Sequence, residues 1–154
     1  MNVFLRNTTR SFHTFYLNVR VVFWILFVNE YIFDFCILEG ESMVPTFAAF
    51  GEIVIMEKIS QRFNWLKNGD IVCVLNPTDP GMKLCKRIIC SENEVHRTAK
   101  YDHLVKIPKN HIWVEGDNKY NSLDSRKFGP ITKNLVKGKI VFRIRPFSLF
   151  GKVY

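Results

Sequence analysis

The chain of 154 residues has four cysteines and four histidines, but no CxxC pair, no HExxH and no closely spaced Cys/His set. That absence argues against a zinc site. No five like charges stand in a row, and the basic residues occur singly or in pairs such as Lys86-Arg87. The net charge of +8 therefore reads as a solvated or lipid-facing basic surface, and no nucleic-acid partner is expected. Internal repeats and low-complexity segments are missing too. With 47% hydrophobic and 23% charged residues, the chain is neither disordered nor a coiled coil. No alanine precedes Ala48 and no small-x-small pattern follows the first apolar run, which argues against a cleavable secretory leader. Nor does any uninterrupted apolar run approach the roughly 20 residues that cross a bilayer.

What is present is unevenly distributed. Seven of the 14 phenylalanines lie in the first 35 residues. In residues 1–40 Arg6, Arg10 and Arg20 balance Glu30, Asp34 and Glu39, so the whole charge excess lies downstream. The apolar core of this leader, Val21 to Val28, is followed by Asn29, Glu30 and Asp34. A charge near mid-span costs about 2.5–3.5 kcal/mol on insertion scales. Residues 1–38 are thus expected to form a marginal membrane-anchor helix. Spacing four apart predicts that Glu30 and Asp34 share a stripe with Phe23 and Phe27, facing a partner or the interface. The first 29 residues carry arginine, serine and threonine but no acid, as mitochondrial targeting segments do. Arginine on the N-terminal flank predicts an N-terminus on the inner side and a downstream domain across the membrane.

The remaining residues, 39–154, make one domain of short apolar runs separated by turn signals. Candidate strands are Ile53–Met56, Ile71–Leu75, Leu84–Ile89, Leu104–Ile107, Ile112–Val114 and Ile140–Ile144. Between them stand Asn68-Gly69-Asp70, Asn76-Pro77, Asp79-Pro80-Gly81 and Gly129-Pro130. No amphipathic helix of ten or more residues is apparent beyond residue 40. The expected class is mostly β, a partly closed barrel or sandwich behind an N-terminal anchor helix.

Three segments carry candidate chemistry. Gly40-Glu41-Ser42-Met43-Val44-Pro45-Thr46 offers a serine in a loop, which needs a base to become a nucleophile. In Lys83-Leu84-Cys85-Lys86-Arg87-Ile88-Ile89, strand alternation puts Lys86 on one face between Leu84 and Ile88. Desolvation there lowers the lysine pKa toward the range of a general base; the plainer alternative is a lysine whose stem covers the sheet while its head reaches water. The third, Glu115 to Arg126, is dense in Asx- and ST-turn residues. It is either a polar loop or a rigid wall that orients a neighbouring lysine and fixes Asp124 against Arg126. Phe47, Phe50, Phe63 and Trp65 are candidates for an apolar surface resting on lipid, or for core.

Taken together, in order, these boxes resemble the type I signal peptidase family, peptidase S26. The match runs from about Gly40 to Gly129 through Ser42-Met43-Val44-Pro45-Thr46, Gly69-Asp70-Ile71-Val72, Lys86-Arg87 and Gly116-Asp117-Asn118 to Ser122, Asp124, Ser125 and Arg126. The short domain and weak anchor look most like the mitochondrial inner membrane branch, subunit 1 more than subunit 2. The resemblance implies a signal-peptidase-like β-domain with Ser42 as nucleophile and Lys86 as general base. It also implies Ser122 as the hydroxyl that orients the lysine, Asp124 and Arg126 as an ion pair beneath the site, and Asp117 and Asn118 in the supporting loop. No cofactor is implied. Its expected partners are precursor proteins with cleavable presequences, a second inner membrane peptidase subunit and the lipid bilayer, with the catalytic domain facing the intermembrane space. A non-catalytic subunit that stabilises a partner peptidase is the alternative. Two departures stand out: Gly40 occupies the place of a hydroxyl residue that completes the oxyanion hole in many bacterial members, and Ile88 to Glu94 replaces their glycine-rich turn.

Overall fold

The computed structural model describes residues 2–98 and 104–153, apart from the side chains of 2–14. The side chains of Arg6, Arg10 and His13, and all of His103, lie outside the described residues. The chain divides into two compact units, residues 1–33 and 34–154.

The first unit is helix α1, Asn2–Tyr31. The side chains of Val21 to Ile25 are all more than half exposed. Phe27 stacks on Tyr31 and on Phe23, and meets Trp24 edge-on. Among the described residues no helix is long and apolar enough to cross a membrane. The expected acidic stripe does not form, because the helix stops before Asp34. Residues Phe33–Glu39 instead make strand β1, with Asp34, Cys36 and Leu38 turned inward and Phe33, Phe35 and Ile37 outward. Period-two alternation and backbone pairing with the next strand outweigh the helical spacing there. The first compact unit ends at Phe33.

The second unit is mostly β. After β1 come β2 (Phe50–Glu57), a one-turn helix α2 (Ile59–Arg62), β3 (Ile71–Leu75) and β4 (Lys83–Cys90). The chain continues with β5 (Val95–Arg97), β6 (Leu104–Lys106), β7 (His111–Glu115) and the short α3 (Ser125–Phe128). It ends with β8 (Ile131–Thr132), β9 (Val136–Arg145) and β10 (Gly151–Lys152). Eight strands form one sheet in the order β1-β2-β9-β3-β4-β7-β8, with β10 also on β9, while β5 and β6 make a separate ribbon. All six expected strands are present. The expected partial closure is not: β1 and β8 remain opposite edges of one open sheet. With only two residues, β8 offers too short a ladder to bridge to β1.

Strand β3 is buried on both faces, which its continuous apolar run anticipates. Val72, Val74, Leu84, Ile88, Ile112, Val114, Ile131 and Val136 pack as one cluster, and Met43, Phe47, Val54, Ile71 and Ile140 as another. Phe47 is thus core and not part of an outer apolar surface, whereas Phe50, Phe63 and Trp65 are exposed. All four cysteines are free. Burial pushes the Cys73 thiol up to about 11 and the Cys85 thiol to about 12. Strand β4 lies between β3 and β7, so whatever it carries is held from both sides.

Candidate active site

Lys86 sits opposite Val72 in the β3–β4 ladder and shares its face with Leu84 and Ile88 of the apolar cluster. It is 2% exposed, so its stem and head are buried together and do not extend to the surface. Its Nζ donates to Ser42 Oγ at 2.6 Å and to the Cys85 carbonyl at 2.8 Å. Desolvation lowers its pKa below the ordinary 10.5, because an ammonium loses hydration that two acceptors only partly replace. Ser42 lies in a single 3-10 turn, Glu41–Met43, entered through Gly40 at a φ of 102°. A hydroxyl hydrogen-bonded to a desolvated amine is an arrangement in which the neutral amine can take the hydroxyl proton. Both groups line a cleft of about 280 Å³, together with Leu38, Gly40, Met82, Leu123 and Asn121.

The loop after β7 holds the serine turn in place. Asn118 donates its backbone N–H to the Ser42 carbonyl at 3.0 Å and its side-chain amide to the Glu41 carbonyl at 3.1 Å. Its own Oδ1 accepts from the amides of Tyr120 and Asn121. Arg87, next to the lysine but on the opposite face, grips Asp117 with Nε at 2.9 Å and a terminal nitrogen at 2.8 Å. Asp117 in turn accepts from the Thr46 hydroxyl. Burial alone would raise the Asp117 pKa, but the Arg87 and Thr46 bonds outweigh it and hold it down. A third guanidinium bond, to the Gly69 carbonyl at 2.9 Å, ties in the start of β3.

Asp124 is 0% exposed. It caps α3 by accepting from the Arg126 amide, takes the Gly116 N–H at 2.9 Å and pairs with the Arg126 guanidinium, whose Nε lies at 2.9 Å. Burial pushes its pKa upward, yet these bonds win and bring it to about 2. Arg126 also donates to the Lys119 carbonyl, so the loop is closed on itself. The Ser122 hydroxyl is buried beside Asp124, whose carboxyl it helps to hold down, while Lys86 donates to Ser42 and Cys85. The expected site residues are thus gathered around the Ser42 turn and the 116–126 loop, with Ser122 packed against Gly116 and Asp124 and not among the groups to which Lys86 donates. Arg87 and Thr46 are the additions. The only sequence signal for them was their place within the matched boxes.

Two outcomes follow from this geometry. A Cβ on Gly116 would overlap the Ser42 carbonyl oxygen and the Ser122 hydroxyl, so Gly116→Ala should destabilise by about 1–3 kcal/mol in denaturant unfolding and speed exchange of the Asn118 amide. For Asp124, a folded pKa of about 2 against an ordinary 3.8 means a stabilisation present above pH 4 and lost as pH falls through 2. The stability gap between wild type and Asp124→Asn, measured by urea unfolding, should be full at neutral pH and close near pH 2.

The comparisons with known proteins give the family. The family model for signal peptidase, peptidase S26, matches residues 11–93 and 90–145. Mitochondrial inner membrane protease subunit 1 of Mus musculus is 40% identical over 79% of this chain and 75% of its own. The Arabidopsis thaliana mitochondrial ATP-independent inner membrane protease subunit 1a is 37% identical over 81% and 78%. Subunit 2 of the Schizosaccharomyces pombe protease is 31% identical over 99% and 88%. With the family model covering both Ser42 and Lys86, and relatives of this identity spanning most of the chain, the protein belongs to the signal peptidase family, peptidase S26.

Proposed function

We propose that the chain is a serine endopeptidase with a Ser42/Lys86 dyad that removes sorting presequences from proteins delivered to the mitochondrial intermembrane space. The observation that carries this reading is the buried Lys86 amine 2.6 Å from the Ser42 hydroxyl. In the neutral form Lys86 accepts the hydroxyl proton as Ser42 Oγ attacks the scissile carbonyl, then returns it to the leaving amine. The same amine activates the water that hydrolyses the acyl-enzyme. The Ser42 backbone N–H is the first donor to the oxyanion. Asp117, Asn118, Asp124 and Arg126 hold the two reacting groups in register, and no cofactor is required. Ser122, in the same loop, is the hydroxyl assigned to orienting the lysine.

The location and partners rest on the relatives' names, mitochondrial inner membrane proteases of subunit 1 and subunit 2. Like them, this chain works at the inner membrane with a second peptidase subunit, its catalytic domain in the intermembrane space. Helix α1 attaches it there through the exposed apolar side chains of Val21 to Ile25, with the partner subunit supporting a helix too polar to span by itself. A purely stabilising, non-catalytic role is disfavoured, because such a subunit would have no use for a lysine desolvated against a serine hydroxyl.

The test is co-expression of the full chain with its partner subunit and an assay of cleavage of an intermembrane-space precursor. Ser42→Ala and Lys86→Met should each lose roughly 10³-fold or more in kcat; persistent processing by both removes the dyad. Lys86→Arg should be inactive as well, since a guanidinium stays protonated. Because the neutral amine is the active form, kcat/KM should fall as pH drops through the lowered Lys86 pKa, on a limb lying below the ordinary 10.5. Lys86→Met should unfold at a temperature equal to or above the wild type's, because it relieves a desolvated ammonium while it removes activity.

A further inference from the structure

Strand β2 carries a glutamate on its buried face. Glu52 is 2% exposed and alternates with the core residues Val54 and Met56, a costly place for a carboxylate unless it is paired. Its partner comes from β9. Arg143 stands opposite Val54 in the β2–β9 ladder, at a point where the register shifts, and its Nε lies 2.9 Å from Glu52 Oε2. Register shifts of this kind re-aim a side chain. Neither residue belongs to the boxes that identify the family, and neither takes part in the mechanism above.

What the pair touches gives it a purpose. Glu52 Oε1 accepts the Ala48 amide at 2.6 Å. A terminal nitrogen of Arg143 donates to the Thr46 carbonyl, and the guanidinium carbon lies 4.9 Å from the centre of the Phe47 ring. Three consecutive residues are thus held by one ion pair: a carbonyl, a ring and an amide. They form the irregular stretch between the Ser42 turn and β2, where no strand ladder satisfies the backbone. The same stretch is tied from the other side by the Thr46 hydroxyl on Asp117, and it reaches back to the serine turn through the Phe47 amide on the Met43 carbonyl at 3.0 Å.

We infer that Glu52 and Arg143 are positioning residues for the nucleophile: through Thr46, Phe47 and Ala48 they fix the loop that sets the Ser42 hydroxyl against the Lys86 amine. This rests on the Ser42/Lys86 reading and adds a second brace to the one made by the 116–126 loop. A misplacement of the hydroxyl by about 1 Å is enough to lower turnover about 10²-fold while leaving substrate contacts largely intact. The role therefore shows in kcat and much less in KM.

The experiment uses the full chain with its partner subunit and an internally quenched peptide carrying small residues at the first and third positions before the cut. Glu52→Gln removes the charge but keeps the shape. Arg143→Lys keeps the charge but has a single nitrogen to share between Glu52 and the Thr46 carbonyl. Expected are a fall in kcat of about tenfold or more for Glu52→Gln and a smaller one for Arg143→Lys, with KM within about twofold. Amide exchange at Phe47 and Ala48 should be faster in both. If Glu52→Gln fails to fold, Arg143→Lys carries the test alone. Ser42→Ala is measured alongside: should it be inactive while the folded Glu52 and Arg143 variants keep wild-type kcat, the positioning role is wrong and the dyad stands. Turnover by Ser42→Ala would instead overturn the dyad and this inference with it.

Discussion

The domain is organised around the removal of one ammonium group from water. Lys86 lies in the wall of an apolar cluster, with two acceptors for its amine. Taken alone such a lysine destabilises the fold. The surrounding architecture compensates by burying β3 on both faces and by flanking β4 with β3 and β7, so the strand cannot twist its lysine outward. The lowered pKa and the short contact to Ser42 follow from that confinement together.

Confinement of the lysine is useful only if the serine is held as firmly, and Ser42 lies in a turn with no ladder of its own. Its position is imposed by side chains from distant parts of the chain. Asn118 grasps the turn by its carbonyls, while Arg87 joins Asp117, Thr46 and the start of β3. Asp124 secures the base of the same loop through Gly116 and Arg126. Gly116 is the point where these parts approach most closely, which is why a side chain has no room there. Charged groups dominate this network because a guanidinium–carboxylate fork fixes direction as well as distance.

Much of this was legible in the chain itself. Alternation in Leu84-Cys85-Lys86-Arg87-Ile88 placed Lys86 on the apolar face and Arg87 on the other, and six of the strands announced themselves through β-branched runs. The failures have physical causes. At Phe33–Glu39 the residues satisfy helical spacing for Glu30 and Asp34 and also strand alternation, and only the presence of β2 as a pairing partner decides between them. Closure of the sheet was misjudged because periodicity describes the faces of strands and says nothing about which edges meet. β1, β5, β8 and β10 went unseen, β8 and β10 because two residues show no period. Arg87 and Thr46 lay inside recognised boxes, but their bond through Asp117 spans 71 positions from Thr46. No local pattern encodes such a contact. Glu52 is in phase with Val54 and Met56, but Arg143 is out of phase with the inward Ile140 and reaches Glu52 only across the register shift between β2 and β9, which no alternation encodes.

Asn118 also bears on a group it does not touch. The Glu41 carbonyl that accepts its side-chain amide shares a rigid peptide plane with the Ser42 N–H, and in a trans peptide the two point in opposite directions. The Ser42 carbonyl, held by the Asn118 amide, stands in the same relation to the Met43 N–H. Two successive peptide planes are therefore clamped by their oxygens, leaving their hydrogens aimed at fixed angles on the far side. Gly40 brings no side chain to this turn, and an asparagine behind it orients two backbone dipoles before any ligand arrives.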